Sequence, residues 1–332
     1  MPSLSRHALN VLDAQPSDAA AVLDVVRRSF GARPPLDPPS TAAEESVEKI
    51  AAAIATSGGL LVERRGEPIG AMLFDETRPG LLGFRRVSVD PDHQDRGVAS
   101  AMVGVAEDTA EERGVDGIWL QVREELPENV EFWSRRRYHV VETHGNMLEF
   151  GKTLWLAREM HTASATYAFG ERLAGLLRPG DLLVMSGALG AGKTTLTQGI
   201  AKGLGVRGPI TSPTFVIARD HPSLVDGPPL VHVDAYRLDD VAELDDLDLD
   251  TAFEDSVTVV EWGAGVAEQL SDAWLEVRLE RRQADVMDPV GAGVPGSGDD
   301  TRVITVKPHG ARWARTPLRS TLLADVASAP ND

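Results

Sequence analysis

The chain contains no cysteine. Disulfides, thiolate zinc sites and a cysteine nucleophile are therefore excluded. It also lacks any apolar run approaching the roughly 18 residues that span a bilayer, so no membrane partner is expected. Met1-Pro2-Ser3-Leu4-Ser5-Arg6-His7 has no apolar stretch of the kind a secretory signal needs, and a cytoplasmic location is the expectation. An excess of positive charge is missing as well. The net charge is −18, with 17 basic and 25 acidic residues up to Trp155 and 16 and 26 after it. Affinity for nucleic acid comes largely from Lys and Arg on phosphates, so direct nucleic-acid binding is not expected of either half. Arg135-Arg136-Arg137 reads as a solvated helix face.

The remaining composition is ordinary for globular protein: 332 residues, 42% hydrophobic and 25% charged, enough for two cores. In the first half Val22, Val25, Val26 and Phe30 share one helical face behind Ser17-Asp18 as a cap. The proline-rich stretch 33–40 must be a loop. Strands are predicted at 60–63 and 69–74, joined by a turn of several residues, and at 84–89, 118–122 and around 147–150. A helix carries Val98, Met102, Val105 and Ala106. In the second half Phe169, Leu173, Leu176 and Leu177 mark an amphipathic helix. Residues 182–185 read as a strand buried on both faces, and strands are expected at 230–233 and 257–260. Residues 284–300, dominated by Gly, Pro and Asp, are expected to form a mobile surface insertion. The segment after Pro308 shows no pattern.

Gly187-Ala188-Leu189-Gly190-Ala191-Gly192-Lys193-Thr194 satisfies G-x-x-x-x-G-K-[ST] between a predicted strand and a predicted helix. Glycines let phosphate oxygens approach the backbone, whose N–H groups hold the anion at a helix N-terminus. Lys193 is placed to reach the terminal phosphates, and the Thr194 hydroxyl to complete a magnesium shell. Hydrolysis also needs acids at strand ends. Asp234 follows the apolar Leu230-Val231-His232-Val233, and Glu261 follows Val257-Thr258-Val259-Val260. No N-K-x-D segment for guanine is present, which favours adenine.

Four ordered segments resemble the TsaE family, the ATPase of bacterial tRNA threonylcarbamoyladenosine (t6A) synthesis. They are Leu189-Gly190-Ala191-Gly192-Lys193-Thr194-Thr195, Thr211-Ser212-Pro213-Thr214-Phe215, His232-Val233-Asp234-Ala235-Tyr236-Arg237-Leu238 and Val260-Glu261-Trp262. Glu243-Leu244 and Leu247-Asp248-Leu249 fit the family's segment downstream of D-x-Y-R-L. The resemblance implies a magnesium-dependent ATPase that works with a TsaB–TsaD complex and meets tRNA only through it. It implies Lys193, Asp234 and Glu261 as catalytic, and Thr194, Asp234 and Glu261 around the metal. ATP would be held by Thr166, Gly187, Leu189, Gly190, Ala191, Gly192, Lys193, Thr194 and Thr195, with 212–215 as a nucleotide-sensing loop. Thr166 reads equally as an ordinary early-helix threonine. Ala188 departs from the family's aspartate, which leaves partner contacts open.

Val87-Ser88-Val89-Asp90-Pro91-Asp92-His93-Gln94-Asp95-Arg96-Gly97-Val98-Ala99 resembles motif A of the GNAT acyltransferases. Asn129-Val130-Glu131-Phe132-Trp133 and Tyr138 match the helix and strand downstream of that motif in the same family. The resemblance implies acetyl-coenzyme A on Val87, Val89, Gln94, Arg96, Gly97, Val98, Ala99 and Asn129, its pyrophosphate at a helix N-terminus. Leu120-Gln121-Val122-Arg123 is similar to the L-E-V-R strand of ribosomal-protein alanine acetyltransferases, but Gln121 replaces the general base and Trp133 the tyrosine acid. Neither can transfer a proton near neutral pH. Glu124 or Glu125 could take the base's place, though both read more naturally as solvated acids.

The expectation is thus an α/β chain of two domains. A GNAT mixed-sheet α+β domain over 8–155 precedes a TsaE-like P-loop domain over 160–308 and a tail over 309–332. Its cofactors are ATP, magnesium and acetyl-coenzyme A. Two alternatives stand beside a bifunctional enzyme: a coenzyme A-binding module without catalysis, or an acetyltransferase whose P-loop half only senses nucleotide.

Overall fold

The computed structural model describes residues 9–94, 96–212, 218–236, 253–282 and 301–324. The chain forms two compact units, Met1–Lys152 and Thr153–Asp332, each with its own seven-stranded sheet.

The first unit runs β1 (Leu9–Asp13), α1 (Ala19–Gly31), α2 (Val47–Ser57), β2 (Gly59–Arg64), β3 (Glu67–Asp75), β4 (Leu81–Val89), α3 (Val98–Glu112), β5 (Gly117–Arg123), α4 (Pro127–Ser134), β6 (His139–His144) and β7 (Met147–Thr153). Its sheet order is β1-β2-β3-β4-β5-β7-β6. The apolar stripe of α1 buries Val22, Val25 and Val26 against Ile50 and Ile54 of α2 and Leu61, Ala71 and Leu73 of the sheet. The β2–β3 hairpin is present, but its turn is tighter than expected. Only Arg65 (φ 57°) and Gly66 (φ 79°) separate the strands. Two left-handed residues in a row match the right-handed twist of a hairpin, and Pro68 is taken into β3 beside a register shift.

Strands β4 and β5 are parallel and pair only from Leu81–Phe84 against Gly117–Leu120. Beyond that point 85–89 and 121–123 do not pair with each other among the described residues, while β4 stays paired with β3 through Val89, so the two strands part at their C-terminal ends.

The second unit runs β8 (Leu156–Met160), α5 (Ala163–Ala174), β9 (Leu182–Ser186), α6 (Lys193–Leu204), β10 (Ala218–His221), β11 (Leu230–Asp234), β12 (Val257–Glu261), β13 (Trp274–Arg281), β14 (Arg302–His309) and α7 (Leu318–Leu323). The sheet order is β10-β11-β12-β9-β13-β14-β8, with β11, β12, β9 and β13 mutually parallel. Parallel strands are covered on both faces and therefore read as continuous apolar runs. On β9, Leu183 and Met185 join one core while Leu182 and Val184 join the other.

Helices α5 and α6 touch at their backbones. A Cβ on Gly199 would lie 2.0 Å from the Tyr167 carbonyl oxygen, and one on Gly170 would lie 2.4 Å from that of Leu196. Strands β8, β10, β13 and β14 go beyond what the sequence predicts. So does the segment after Pro308, where Trp313, Leu318 and Leu322 enter the larger core. The expected insertion over 284–300 lies outside the described residues, as do Pro213-Thr214-Phe215, Arg237-Leu238 and the 243–249 segment.

Candidate functional site

The second unit gathers its chemistry at the C-terminal edge of the parallel strands, where ligands of open α/β sheets bind. β9 ends at Ser186 and runs into the glycine-rich loop. Gly187 (φ 143°), Gly190 (φ 74°) and Gly192 (φ 108°) adopt conformations that a side chain would resist. At Gly187 a Cβ would also strike the Leu279 carbonyl oxygen at 2.3 Å. Gly192 caps α6, so the helix N-terminus and its unsatisfied N–H groups point into the loop.

Parallel pairing places Asp234 of β11 directly beside Glu261 of β12, and Glu261 beside Met185 of β9. Glu261 is held by three side chains. His232 contacts its Oε1 through Nε2 at 2.9 Å, Thr194 donates to Oε1 at 3.2 Å, and Thr197 lies 3.5 Å away. His232 is fully buried and its Nδ1 has no partner. A bare acceptor nitrogen is cheaper to bury than an unpaired N–H, so Nε2 is assigned as the protonated nitrogen. Asp234 accepts from the Ser212 hydroxyl at 3.1 Å and from the Tyr236 amide at 3.1 Å.

Lys193 is buried, and its ammonium donates to the carbonyls of Gly187 (2.9 Å) and Ala188 (3.3 Å) while lying 3.7 Å over the Trp262 ring. Burial lowers its pKa, against the pull of Glu261 and then Asp234. Trp262 itself sits at φ 63°, donating its amide to Met185 and packing edge-on to Tyr236. A tryptophan in the left-handed region is strained, and here the strain turns its ring under the lysine.

These groups enclose a cavity of about 520 Å³. Of the residues expected from sequence, Thr166, Leu189, Gly190, Gly192, Lys193, Thr194, Thr195, Asp234 and Glu261 line it. Gly187 and Ala191 do not. The first serves Lys193 through its carbonyl, and the second is packed in the core. Ser212, from the expected nucleotide-sensing loop, lines it too, and the structure adds Ala163, Tyr236, Trp262 and Arg302. Ser212, Tyr236 and Trp262 lie inside the four TsaE-like segments; Ala163 and Arg302 belong to no motif, and nothing in the sequence marks them.

In the first unit, Val87 and Val89 occupy the end of β4 that is paired with β3 beyond the β4–β5 ladder, and Gly97 (φ 77°) caps α3 beyond the Pro91–His93 turn. Gln94, Arg96, Gly97, Val98 and Ala99 therefore surround one helix N-terminus, while Asn129 stands apart in the first turn of α4. Gln121 is exposed on the diverging part of β5. Trp133 is buried against Phe84, Phe132 and Tyr138. Tyr138 donates to Glu107 at 2.8 Å, and burial followed by Glu107 pushes its hydroxyl well above the ordinary tyrosine value.

Glu125 is a poor replacement base. Its hydrogen bond from Arg123, with help from its own backbone amide and Asn146, holds the carboxyl at about 2. Arg123 also donates to the carbonyls of Asp37 (2.7 Å) and Pro38 (3.0 Å), which ties the proline-rich loop to the end of β5.

The second sheet, with a glycine-rich loop after one strand and acids after two neighbours, defines a P-loop NTPase-like domain. Comparison with known proteins agrees and narrows it. The profile of the family "Threonylcarbamoyl adenosine biosynthesis protein TsaE" matches residues 160–287, and that of the acetyltransferase (GNAT) family matches residues 23–137. The tRNA threonylcarbamoyladenosine biosynthesis protein TsaE of Streptomyces coelicolor is 57% identical over 146 residues, which are 44% of this chain and 91% of that protein. Its Bacillus subtilis counterpart is 39% identical over 149 residues, 45% of this chain and 82% of that protein. Among solved structures, the PaiA N-acetyltransferase of Thermoplasma acidophilum in complex with coenzyme A is similar at 16% identity and a TM-score of 0.39, covering 43% of this chain and 97% of that one. The chain belongs to the TsaE family through its second half, and carries a GNAT module in its first.

Proposed function

We propose that the second unit hydrolyses ATP in support of tRNA N6-threonylcarbamoyladenosine synthesis, acting with a TsaB–TsaD complex, and that the first unit is an acetyl-coenzyme A-dependent module. The observation that carries the first reading is the register that sets Asp234 beside Glu261, facing the N-terminus of α6 across one cavity. The Thr194 hydroxyl and these two carboxylates form an all-oxygen donor set, which suits magnesium. Thr194 and Glu261 already lie 3.2 Å apart, close enough to share an ion. When bound, magnesium would neutralise charge on the phosphates.

The protein's own groups do the rest. The loop amides and Lys193 hold the phosphate oxygens, which supplies positioning and electrostatic stabilisation. Lys193 must leave the Gly187 and Ala188 carbonyls to reach a phosphate. Its ammonium is pre-placed by Trp262, so the move is a short exchange of partners. Glu261, fixed by His232, is placed to orient the attacking water, and Asp234, held by Ser212, would help to hold the metal. ATP turnover by the whole chain, measured with and without purified TsaB and TsaD, tests the reading. Turnover that rises with both partners is expected; none under either condition would overturn it.

For the first unit the geometry favours binding over efficient acid–base catalysis. Gln121 cannot act as base, Glu125 is too acidic, and Trp133 is buried among rings. Tyr138 is committed to Glu107. An acetyl transfer here would rely on an already neutral amine and on proximity. Thiol release from acetyl-coenzyme A across a panel of peptides and small amines separates the two outcomes, since a binding module would release none.

A further inference from the structure

We infer that Arg33, with Arg86 beside it around the Phe30 ring, binds a carboxylate, and that the amine served by the first unit is an acidic one. The anion site stands by itself; the acceptor class rests on the acetyl-coenzyme A reading above.

Arg33 lies at the start of the proline-rich loop that follows α1. Its guanidinium carbon is 3.7 Å from the centre of the Phe30 ring, and that of Arg86 is 5.9 Å from the same ring. Arg86 is matched, since it donates to Glu45 at 2.8 Å and to the Thr41 hydroxyl at 3.0 Å. Arg33 is not. Among the described residues no carboxylate or carbonyl meets its guanidinium, although the residue is half-buried. Burial, and then the Arg86 charge, lowers its pKa. A desolvated cation beside a like charge costs stability, and an aromatic face offsets only part of that cost. A bound carboxylate would supply the missing counter-charge, in a form that the guanidinium fork takes with two parallel hydrogen bonds. A local rule broken without compensation inside the fold is a mark of function.

The backbone sets this pair beside the strand expected to carry the acyl donor. Ala71 pairs with Ser88 and Leu73 with Arg85, so Arg86 and Val87 stand opposite Met72 alone. In this bulge Arg86 takes φ 51°, a conformation that bulky side chains resist. Bulges re-aim side chains and recur beside active sites; this one turns Arg86 toward Phe30. Val87 and Val89 follow on the same strand, where β4 has parted from β5. The loop begun by Arg33 is fixed to the other parted strand, its Asp37 carbonyl accepting from Arg123 (2.7 Å) and from Asn146 (3.0 Å). A carboxylate anchored on this side would hold its amine next to the acyl-donor strand. With Gln121 and Glu125 unable to act as base, such anchoring is what the protein has left to contribute.

The test uses the full chain with coenzyme A, and acetylated products as probes in acid and amide pairs. N-acetylglycine against N-acetylglycinamide reports a terminal carboxylate. N-acetylaspartyl-glycinamide against N-acetylasparaginyl-glycinamide reports a side-chain one. Dissociation constants are measured by ligand-observed NMR titration. At least one acid is expected to bind about tenfold or more tightly than its amide, the scale of one charge-assisted contact. The pair that shows it tells a free amino acid from an acidic peptide. Arg33→Met is expected to abolish the preference, and Arg33→Lys to keep part of it. Acids and amides bound alike, no binding of any probe, or a preference that survives Arg33→Met would each overturn the inference. Should Arg33→Met fail to fold, the wild-type comparison and Arg33→Lys still decide, since a preference undiminished by lysine would count against a forked contact. Acid preference without affinity for coenzyme A would keep the anion site and remove the acetyl-coenzyme A reading; the reverse would remove the anion site alone.

Discussion

At the scale of single residues, the site is a set of side chains each held by a neighbour. Lys193 shows the consequence most directly. Replacing it with alanine removes the cation proposed to reach the phosphates while leaving the loop glycines in place, so ATP turnover is expected to disappear with the circular dichroism spectrum unchanged. His232 acts one step removed. It fixes Glu261 from a fully buried position, and losing such an orienting partner typically costs about 10–100-fold in activity or metal affinity. His232→Leu should therefore lower the turnover number by about 10–100-fold and raise the magnesium requirement. Its affinity for ADP in chelator should stay within about twofold, because in the proposed site loop amides, not Glu261, hold the phosphates. A parallel loss of ADP affinity and melting temperature would show His232 to be merely structural. The motif residues were legible in the sequence because backbone constraint and chemistry demand particular residue types at fixed spacing. Arg302 was not, because its approach to Gly192 is made across the sheet.

Among the elements, the segment after β14 illustrates how a stretch without periodicity can be structural. Arg312 donates to both oxygens of Asp181 (2.9 and 2.8 Å) and to the Leu176 carbonyl (2.9 Å), clamping the segment after β14 to the start of β9. Burial pushes the Asp181 carboxyl above its usual range, opposed by Arg312. A carboxyl raised on folding contributes stability below its unfolded value and loses that contribution as pH rises through the folded value. Removing Arg312 leaves a buried carboxylate without its cation, so Arg312→Met is expected to destabilise the second unit by about 3 kcal/mol at neutral pH. Part of the loss should return under mild acid, as Asp181 takes up a proton. Urea midpoints of the variant at two pH values check this; an equal deficit at both would place the effect on packing alone. The β2–β3 turn is the converse case. Both strands were readable from their apolar runs, but the two-residue turn depended on Arg65 accepting a left-handed conformation, which composition does not announce.

For the whole molecule, the acidic balance bears on partners. With 16 basic against 26 acidic residues after Trp155, the second unit has little means of drawing in a phosphate backbone. Filter binding of the full chain to tRNA at physiological salt should show no retention, whereas adding the proposed TsaB–TsaD complex should produce it; tight binding by the chain alone would contradict the charge argument. The sequence by itself determined that there are two kinds of fold in this chain, and which short segments carry glycine-containing loops at helix N-termini, because such loops are local and their glycines adopt conformations a side chain resists. Only the tertiary structure decided that Glu261 meets His232 and lies beside Asp234, that Trp262 lies under Lys193, that Arg302 reaches the loop from across the sheet, and that Glu125 is engaged by Arg123 and Asn146. Those are contacts between segments distant in the chain or fixed by local packing, set by register and burial, and no short pattern of residues encodes them.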